Sequence, residues 1–513
     1  MTKINPKDWR FCSQRQRMSP FPNYMSMEAM CSRAKNFVGV NAPHILLLNE
    51  DRICTIFIPK KEFSATVEKV MKRIHGDHKL FFNLVQKQHI VGKRLVHFAK
   101  QSFRTNLSTV SNSKLAGLYA TYEDYYKDVY ACYGHVWIIE DALNKELLDI
   151  VQKRIPDFAP TSLKLRRASK TSVDFIKATD ILNTLTLQPG AMVARIEREA
   201  LFELAAKIVK NKKWKGQVLK SGVEGHDKHL AKLIKKHEQD YFWVTRDYDD
   251  PVLTYHTITE KLREAIKKNP EKVYKRMVAE RLSIHTKQQQ LRKQLKLTKK
   301  EIGLFNTMLD VAYLKELRKR YVSESLYYFD KVLLEIGTRL FLSLKQVRFL
   351  STKDVKDGLT RKKDVTSVVN ARIKQAAWLT NGKRTQIFTG KESNAYHKAL
   401  VGYSVNTTEF TGMAVSPGIA RGPVRIIMNP NEIHKVKKGD IIVSIQVVPS
   451  FAPAVLRSAG LICDGGHGIT THPAIIAREA GVPCIIQTRF ARHVLKDGDM
   501  VEVDGYKGIA RKL

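Results

Sequence analysis

The chain has 513 residues, 43% of them hydrophobic, and carries 88 Lys+Arg against 50 Asp+Glu. This length exceeds what one hydrophobic core serves and predicts roughly two to four domains, while the apolar fraction excludes a largely disordered chain. No run of ~18 consecutive apolar residues occurs, and the stretch from Met1 to Lys7 lacks the apolar region of a secretory signal, so a cytoplasmic protein with no membrane partner is expected.

The formal net charge of +38 is unevenly spread: only 13 Lys+Arg and 9 Asp+Glu lie after Val405, so nearly all of the excess belongs to the N-terminal four-fifths. Such a charge attracts polyanions, which makes nucleic acid the first alternative partner. The lysines are dispersed through helical stretches (Lys207 to Lys220, Lys232 to Lys236, Lys293 to Lys300), a pattern that favours solvated helix faces over a dedicated binding tail. Six cysteines (Cys12, Cys31, Cys54, Cys132, Cys463, Cys484) form no CxxC pair and no zinc-finger spacing, so they read as reduced packing residues and no metal site is expected.

Residues 1–60 contain two β-type runs, His44 to Leu48 and Ile53 to Ile58, separated by the polar stretch Asn49 to Arg52. That pattern predicts a hairpin within a small α+β cap. Residues 61–403 form a basic, mostly α-helical middle. Phe81, Leu84, Val85 and Ile90 recur near helical spacing, as do Leu201, Leu204 and Ile208, then Leu230, Leu233 and Ile234. From Met308 to Leu342 the residues Leu309, Ala312, Tyr313, Leu317, Tyr321, Leu326, Phe329, Leu333, Ile336 and Leu340 mark amphipathic helix. Breaks are expected at Pro156 to Pro160, at Pro189-Gly190, from Asp247 to Pro251 and at Asn381-Gly382.

The texture changes over residues 404–513, where short β-branched runs alternate with Gly and Pro. Val424 to Met428, Asp440 to Ser444, Leu461 to Cys463, Pro483 to Ile486, Met500 to Val503 and Gly508 to Arg511 read as strands. Two helices are expected among them, one between Ser450 and Gly460 and one between Thr471 and Gly481. The fold class is therefore multidomain α+β: a small N-terminal cap, a large helical middle and a compact C-terminal α/β module.

One stretch of that module carries chemistry: Asp464-Gly-Gly-His-Gly-Ile-Thr-Thr-His-Pro-Ala-Ile-Ile-Ala-Arg-Glu-Ala-Gly-Val-Pro483. It leaves a buried strand, crosses a glycine-rich turn and enters a helix bounded by Pro473 at the first position and Gly481 past the end. His472 thus sits at a helix N-terminus, where unpaired N–H groups and the positive dipole end disfavour an imidazolium and favour negative charge placed on the ring. Gly465, Gly466 and Gly468 let backbone amides turn toward phosphate oxygens. Thr470 and Thr471 can cap the helix or donate to the same oxygens, and Arg478 is a candidate second phosphate contact or a salt-bridge partner. His467 and His472 are five apart, but no third ligand accompanies them.

The run from Gly468 to Pro483 (Gly-Ile-Thr-Thr-His-Pro-Ala-Ile-Ile-Ala-Arg-Glu-Ala-Gly-Val-Pro) resembles the mobile domain of phosphoenolpyruvate-utilising enzymes, the family of phosphoenolpyruvate synthase, pyruvate phosphate dikinase and rifamycin phosphotransferase. Gly412 to Val424 resembles the family's entry hairpin, Pro449-Ser-Phe-Ala-Pro453 its proline turn, and Gly498 to Asp504 its closing strand. Two departures stand out: His467 replaces the first glycine of the usual pair, and Thr471 stands where Ser or Cys is common. The resemblance implies a β/β/α phosphohistidine swivelling domain in which His472 is phosphorylated and travels between two sites. Residues 180–395 resemble, more weakly, the helical acceptor-binding domain of rifamycin phosphotransferase-like proteins. The points of similarity are Arg198-Glu-Ala-Leu201, His237 with Tyr241 and Trp243, and the helices from Tyr313 to Leu350 ahead of Asp354. His237, Tyr241, Trp243, Arg318 and Arg339 are on this reading the acceptor-lining candidates, with ordinary packing as the alternative for each.

The resemblance implies a phosphotransferase component that transfers a phosphorus-containing group. No glycine-rich phosphate loop occurs in residues 1–400, so the nucleotide site is expected on a separate ATP-grasp subunit, with Mg2+ and ATP or phosphoenolpyruvate entering through that donor and a small molecule as acceptor. A competing reading is a regulatory protein that keeps the swivelling domain without turnover and binds nucleic acid or another polyanion through its basic part. A third is one half of a split phosphoenolpyruvate synthase.

Overall fold

The computed structural model describes all residues except 1–4, 16, 17, 43, 155–169, 189–192, 221–224, 247–251, 403–406 and 467–470. The protein is mixed α+β, mostly helical, with two sheets. Its strands in chain order are β1 (Trp9–Arg15), β2 (Ile45–Glu50), β3 (Ile53–Pro59), β4 (Ala376–Thr380), β5 (Thr385–Thr389), β6 (Glu409–Thr411), β7 (Met413–Ser416), β8 (Ile419–Ile426), β9 (Ile441–Ser444), β10 (Gly460–Cys463), β11 (Cys484–Ile486), β12 (Met500–Asp504) and β13 (Ile509–Lys512). Two compact units result. One comprises Met1–Met71, Trp137–Ala142 and Ile336–Leu513; the other comprises Lys72–Val136 and Leu143–Glu335.

The first unit holds both sheets. The expected hairpin forms: β2 and β3 pair from Leu46↔Phe57 to Glu50↔Ile53, turning through Asp51, whose φ of 48° is left-handed. The hairpin is not self-sufficient, because the outer edge of β2 would leave a row of unpaired backbone groups. That edge is filled by β4, with Leu47 opposite Trp378, and β5 extends the antiparallel sheet to the order β1-β3-β2-β4-β5. The cap expected within residues 1–60 is therefore completed by residues 376–389, a stretch expected to be helical. Trp378, fully buried, donates its indole N–H to Asn49 Oδ1 at 2.8 Å and stacks on Tyr24 of the helix Pro20–Ser32 at 5.3 Å. The expected break at Asn381-Gly382 is the turn between β4 and β5, with Gly382 at φ 82°.

The second sheet has the order β6-β13-β12-β8-β9-β10-β11-β7. Strands β8 to β11 are mutually parallel in register Val424↔Ile441, Leu461↔Ile442 and Leu461↔Cys484, and the flanking strands are antiparallel. Period-2 alternation divides their residues between two cores. Ile442, Leu461, Cys463, Cys484 and Ile486 pack with Ala474, Ile476 and Ala477 of the helix His472–Ala480. Ile441, Val443, Ile462 and Ile485 pack on the other face with Ala491, Val494 and Val501. Burial on both faces explains why these strands read as short continuous apolar runs.

The second unit is helical. Leu80–Arg104 packs against Asn112–Tyr133, and Val193–Lys210 against Tyr255–Ile266 and Pro270–Gln294. Phe81, Leu84 and Val85 are buried as the periodicity predicts, but Ile90 is 70% exposed. Five positions beyond Val85 it has left the apolar stripe, which continues instead through the buried Gln88 and Gly92. The long helix Lys299–Leu340 buries Leu317, Tyr321, Leu326, Phe329 and Leu333, with Phe329 stacked on Tyr122 at 3.7 Å. The breaks expected at Pro156 to Pro160, at Pro189-Gly190 and from Asp247 to Pro251 lie outside the described residues. Among the described residues no helix is long and apolar enough to cross a membrane.

Candidate functional site

Because β9, β10 and β11 run parallel, their carboxyl ends share one edge of the sheet, the edge where α/β sheets commonly bind ligands. The loop after β10 leads to His472, and residues 445–448 and 487–490 leave the neighbouring strands. Backbone hydrogen bonds tie the three loops together: Gly465 N–H donates to Ile445 O at 2.9 Å, Gln487 N–H to Gly465 O at 3.1 Å and Arg489 N–H to Asp464 O at 3.2 Å.

Gly465 is a steric necessity. A Cβ at this position would lie 2.5 Å from Gln14 O of β1 and 2.7 Å from Ile445 O, so two backbones close on it. Gly466 serves conformation, with a φ of 105° that side chains rarely adopt. Gly468 and Thr470, with His467, lie outside the described residues. Thr471 takes the extended N-cap conformation (φ −74°, ψ 155°), and His472 is the exposed first residue of the helix. Pro473 accordingly occupies the second helical position, not the expected first. Gly481 ends the helix in the left-handed conformation, φ 68°, as expected. His472 thus stands exposed at the first turn of an anchored helix. Arg478 is half-buried and donates from Nη1 to Val415 O of β7 at 3.0 Å.

The acidic residue that opens this stretch has no role assigned to it by the sequence. Asp464 is fully buried directly after β10 and accepts from Thr488 Oγ1 at 2.7 Å, Ala491 N–H at 2.7 Å and Arg492 N–H at 3.2 Å, with Arg492 Nε 3.8 Å away. Burial pushes its carboxyl above the ordinary range, against those donors. Beside it Gln487 (φ 64°) and Arg489 (φ 74°) hold left-handed backbone without being glycine. Gln487 Nε2 donates to Gly466 O at 3.2 Å.

The residues expected to line an acceptor pocket take several places. In the helical unit His237 Nε2 lies 3.4 Å from Glu197 Oε1, both side chains are 5% exposed, and Lys261 Nζ reaches the same oxygen at 3.1 Å. Burial raises the Glu197 carboxyl, but His237 and Lys261 outweigh it and hold the group below its usual range. Tyr241 packs on His237 at 4.8 Å, and burial pushes its phenol up. Trp243 sits in the apolar cluster with Leu201, Leu230 and Ile234 and donates to Asp240 O at 3.2 Å. Arg318 donates to Tyr130 OH at 2.8 Å and stacks on Tyr133. Arg339 lies in the last turn of the long helix and belongs to the other compact unit. His237 and Tyr241 come together on the helix Lys228–Tyr241, whose apolar face turns His237 into the core, and Trp243, in the turn that follows, is buried in the apolar cluster that Tyr241 packs against.

All six cysteines are free and buried, and burial pushes the Cys12 and Cys132 thiols up to about 12, which makes them poor nucleophiles.

Residues 436–508 match the family model of the PEP-utilising enzyme mobile domain. Similar proteins agree over the same region. A protein named "Probable phosphoenolpyruvate synthase" from Archaeoglobus fulgidus is 49% identical over 98 residues, 19% of this chain and 13% of the relative. The phosphoenolpyruvate synthase of Pyrococcus furiosus is 45% identical over 107 residues, 20% of this chain and 13% of the relative. The uncharacterized phosphotransferase YvkC of Bacillus subtilis is 43% identical over 97 residues, 19% and 12% of the two chains. The match therefore covers about one-eighth of these relatives' length and is confined to the C-terminal module.

Proposed function

We propose that the protein is the phosphohistidine component of a phosphoryl relay, with His472 as the carrier. The observation that carries this reading is the exposed His472 at the start of a helix, behind the Gly465-Gly466 turn, in a module that matches the PEP-utilising mobile domain. In the first step the lone pair of a ring nitrogen attacks the terminal phosphorus of ATP, and the bond to the leaving ADP oxygen breaks. With phosphoenolpyruvate as donor, the enolate of pyruvate leaves and is protonated. In the second step an acceptor oxygen attacks the same phosphorus, the P–N bond breaks, the ring recovers its lone pair and the acceptor hydroxyl releases its proton. Two displacements with separately bound partners replace one. The helix N-terminus and the loop amides stabilise the added charge without prior rearrangement.

In this reading a separate ATP-grasp chain supplies the nucleotide, and the helical unit holds a small-molecule acceptor. Among the described residues no three His, Cys, Asp or Glu side chains are grouped to hold a cation, so Mg2+ would enter with the donor's phosphates. The test is incubation with labelled ATP or phosphoenolpyruvate, with and without an ATP-grasp partner. Acid-labile, alkali-stable label that disappears in His472→Ala is the expected result. A folded protein that takes no such label from any donor refutes the carrier role.

A second reading, polyanion binding by the helical unit, draws on a surface concavity of about 780 Å³ lined by Trp214, Lys228, His229, Lys232, Lys235 and Lys236. Salt-sensitive binding of arbitrary RNA or DNA that survives His472→Ala would favour it.

A further inference from the structure

The turn after β11 contains two side chains held at a backbone cost. Gln487 and Arg489 both adopt left-handed φ, where L-residues other than glycine are strained. Such strain persists where a side chain is needed at that point. Gln487 has a structural use, since its amide donates to Gly466 O and its backbone N–H to Gly465 O. Arg489 has no comparable structural use. Its side chain is exposed, its guanidinium lies over the Phe11 ring at 5.6 Å, and among the described residues no carboxylate is within ion-pair distance of it. Burial of its inner atoms and then the charge of Arg10 both disfavour its cationic form.

Arg10 stands one residue before Phe11 on β1, stacks on Phe63 at 4.3 Å and keeps one contact with Asp141 at 3.5 Å. Phe11, which lies under the Arg489 guanidinium, adjoins Arg10 on β1, and the positive charge of Arg10 acts on Arg489. Like charges so placed repel, and an anion with several oxygens removes the repulsion. The place matters as much as the charge. Arg489 N–H is bonded to Asp464 O, so the turn is stitched to the start of the loop that ends in His472. The strand β11 that leads into the Arg489 turn pairs in parallel with β10, which leads into that loop.

Building on the carrier reading of His472, we infer that Arg489, supported by Arg10 of β1, is a phosphate-binding residue that takes oxygens of the phosphoryl group carried by His472. Arginine suits this task because its planar fork donates two parallel hydrogen bonds to phosphate.

Arg489→Gly separates the two roles that the residue can have, since glycine adopts the left-handed conformation freely. Wild type, Arg489→Gly, Arg489→Lys, Arg10→Gln and His472→Ala are treated with potassium phosphoramidate, which phosphorylates histidine without a partner enzyme. Phosphohistidine is then followed by 31P NMR, and thermal midpoints are recorded in parallel. The expected result is a wild-type signal absent in His472→Ala, and in Arg489→Gly a shifted signal whose hydrolysis rate changes by about threefold or more, with an equal or higher midpoint. Arg489→Lys keeps the charge without the fork and should fall between. An Arg489→Gly phosphohistidine with unchanged shift and hydrolysis rate overturns the inference.

Titration with pyrophosphate decides the arginine pair even if the wild type takes no phosphoryl group, an outcome that would sink the carrier reading alone. Affinity about tenfold weaker in Arg489→Gly supports the site, and equal affinity rejects it.

Discussion

Asp464, fully buried, accepts the hydroxyl of Thr488 at 2.7 Å. The bond joins the loop after β10 to the loop after β11. The same carboxylate receives Ala491 N–H, so it also caps the four-residue helix Ala491–Val494. One side chain thereby fixes the near end of the glycine turn that leads to His472. Asp464→Asn keeps the shape but replaces an acceptor oxygen with an amide donor facing N–H groups. A loss of about 2–4 kcal/mol is expected, whereas Thr488→Val, which removes one donor, should cost about 1–2 kcal/mol. Denaturant unfolding of the two variants checks the order. Equal and negligible losses would mean that the buried carboxylate does not hold the loop.

Gly465 and Gly466 are adjacent, yet their substitution by alanine fails for different reasons. At Gly465 the new methyl meets Gln14 O and Ile445 O, two backbone atoms that cannot rotate away. The expected cost is about 1–3 kcal/mol of overpacking, with β1 pushed off the loop. At Gly466 the neighbours are Ile486 side-chain atoms at 3.3 Å or more, and the cost comes from φ 105°. About 1–2 kcal/mol is expected there. Hydrogen exchange of the β1 amides distinguishes the two, since only Gly465→Ala should raise it markedly.

Legibility in the sequence followed the punctuation. Six of the eight C-terminal strands, the end of the His472 helix at Gly481 and the hairpin from Ile45 to Pro59 were readable because Gly, Pro and polar turns separate short apolar runs. Strands β4 and β5 were not. Asn381-Gly382 was read only as a break, although Asn-Gly between Ala-Ala-Trp-Leu-Thr380 and Thr385-Gln-Ile-Phe-Thr389 is a hairpin signal. Their pairing with β2 spans more than 300 residues, as the Asn49–Trp378 hydrogen bond illustrates, and no local pattern encodes such a partner. In the site, His472 and its glycines carried a motif. Asp464 opens that stretch but its role shows only in the fold, and Gln487 and Arg489 lie outside it, because a buried acid and two strained non-glycine residues are recognisable only once the loops are packed together. The acceptor candidates carried a different signal: His237 and Trp243 stand out as polar aromatics, and in the structure His237 lies on the buried face of its helix and Trp243 in the buried turn beyond it.

The helical unit contains a compact polar contact within its core. Tyr122, stacked on Phe329 at 3.7 Å, also exchanges a hydrogen bond between its hydroxyl and Ser325 Oγ at 3.0 Å. Tyr122→Phe keeps the stack and leaves Ser325, which also donates to Val322 O, with a partner, so a loss of only about 1 kcal/mol is expected. Phe329→Ala removes the stacked ring and opens a cavity, for which about 3–5 kcal/mol is expected. Thermal melts should rank the two variants in that order. A reversed order would mean that the hydroxyl, not the stack, organises this core.

Asp310, on the long helix, has no hydrogen-bond or ion-pair partner among the described residues, and burial alone pushes its carboxyl up to about 6. Linkage fixes the sign: the folded protein binds the proton more tightly than the unfolded chain, whose aspartate titrates near 3.8. Below that value both states are protonated and Asp310 costs nothing. Stability is lost as pH rises through the interval up to about 6, and above it the folded state carries the full penalty of a poorly solvated charge. Asp310→Asn removes the titration and should stabilise the protein at pH 7 to 8 by about 1–2 kcal/mol after allowance for partial exposure, with no difference at pH 3 to 4. Midpoints of wild type and variant measured across this range should diverge as pH rises and run parallel above about pH 7. A variant that is less stable than wild type at pH 7 would show that the carboxylate is engaged in its charged form, and would make Asp310 a candidate for a role in the helical unit's own chemistry.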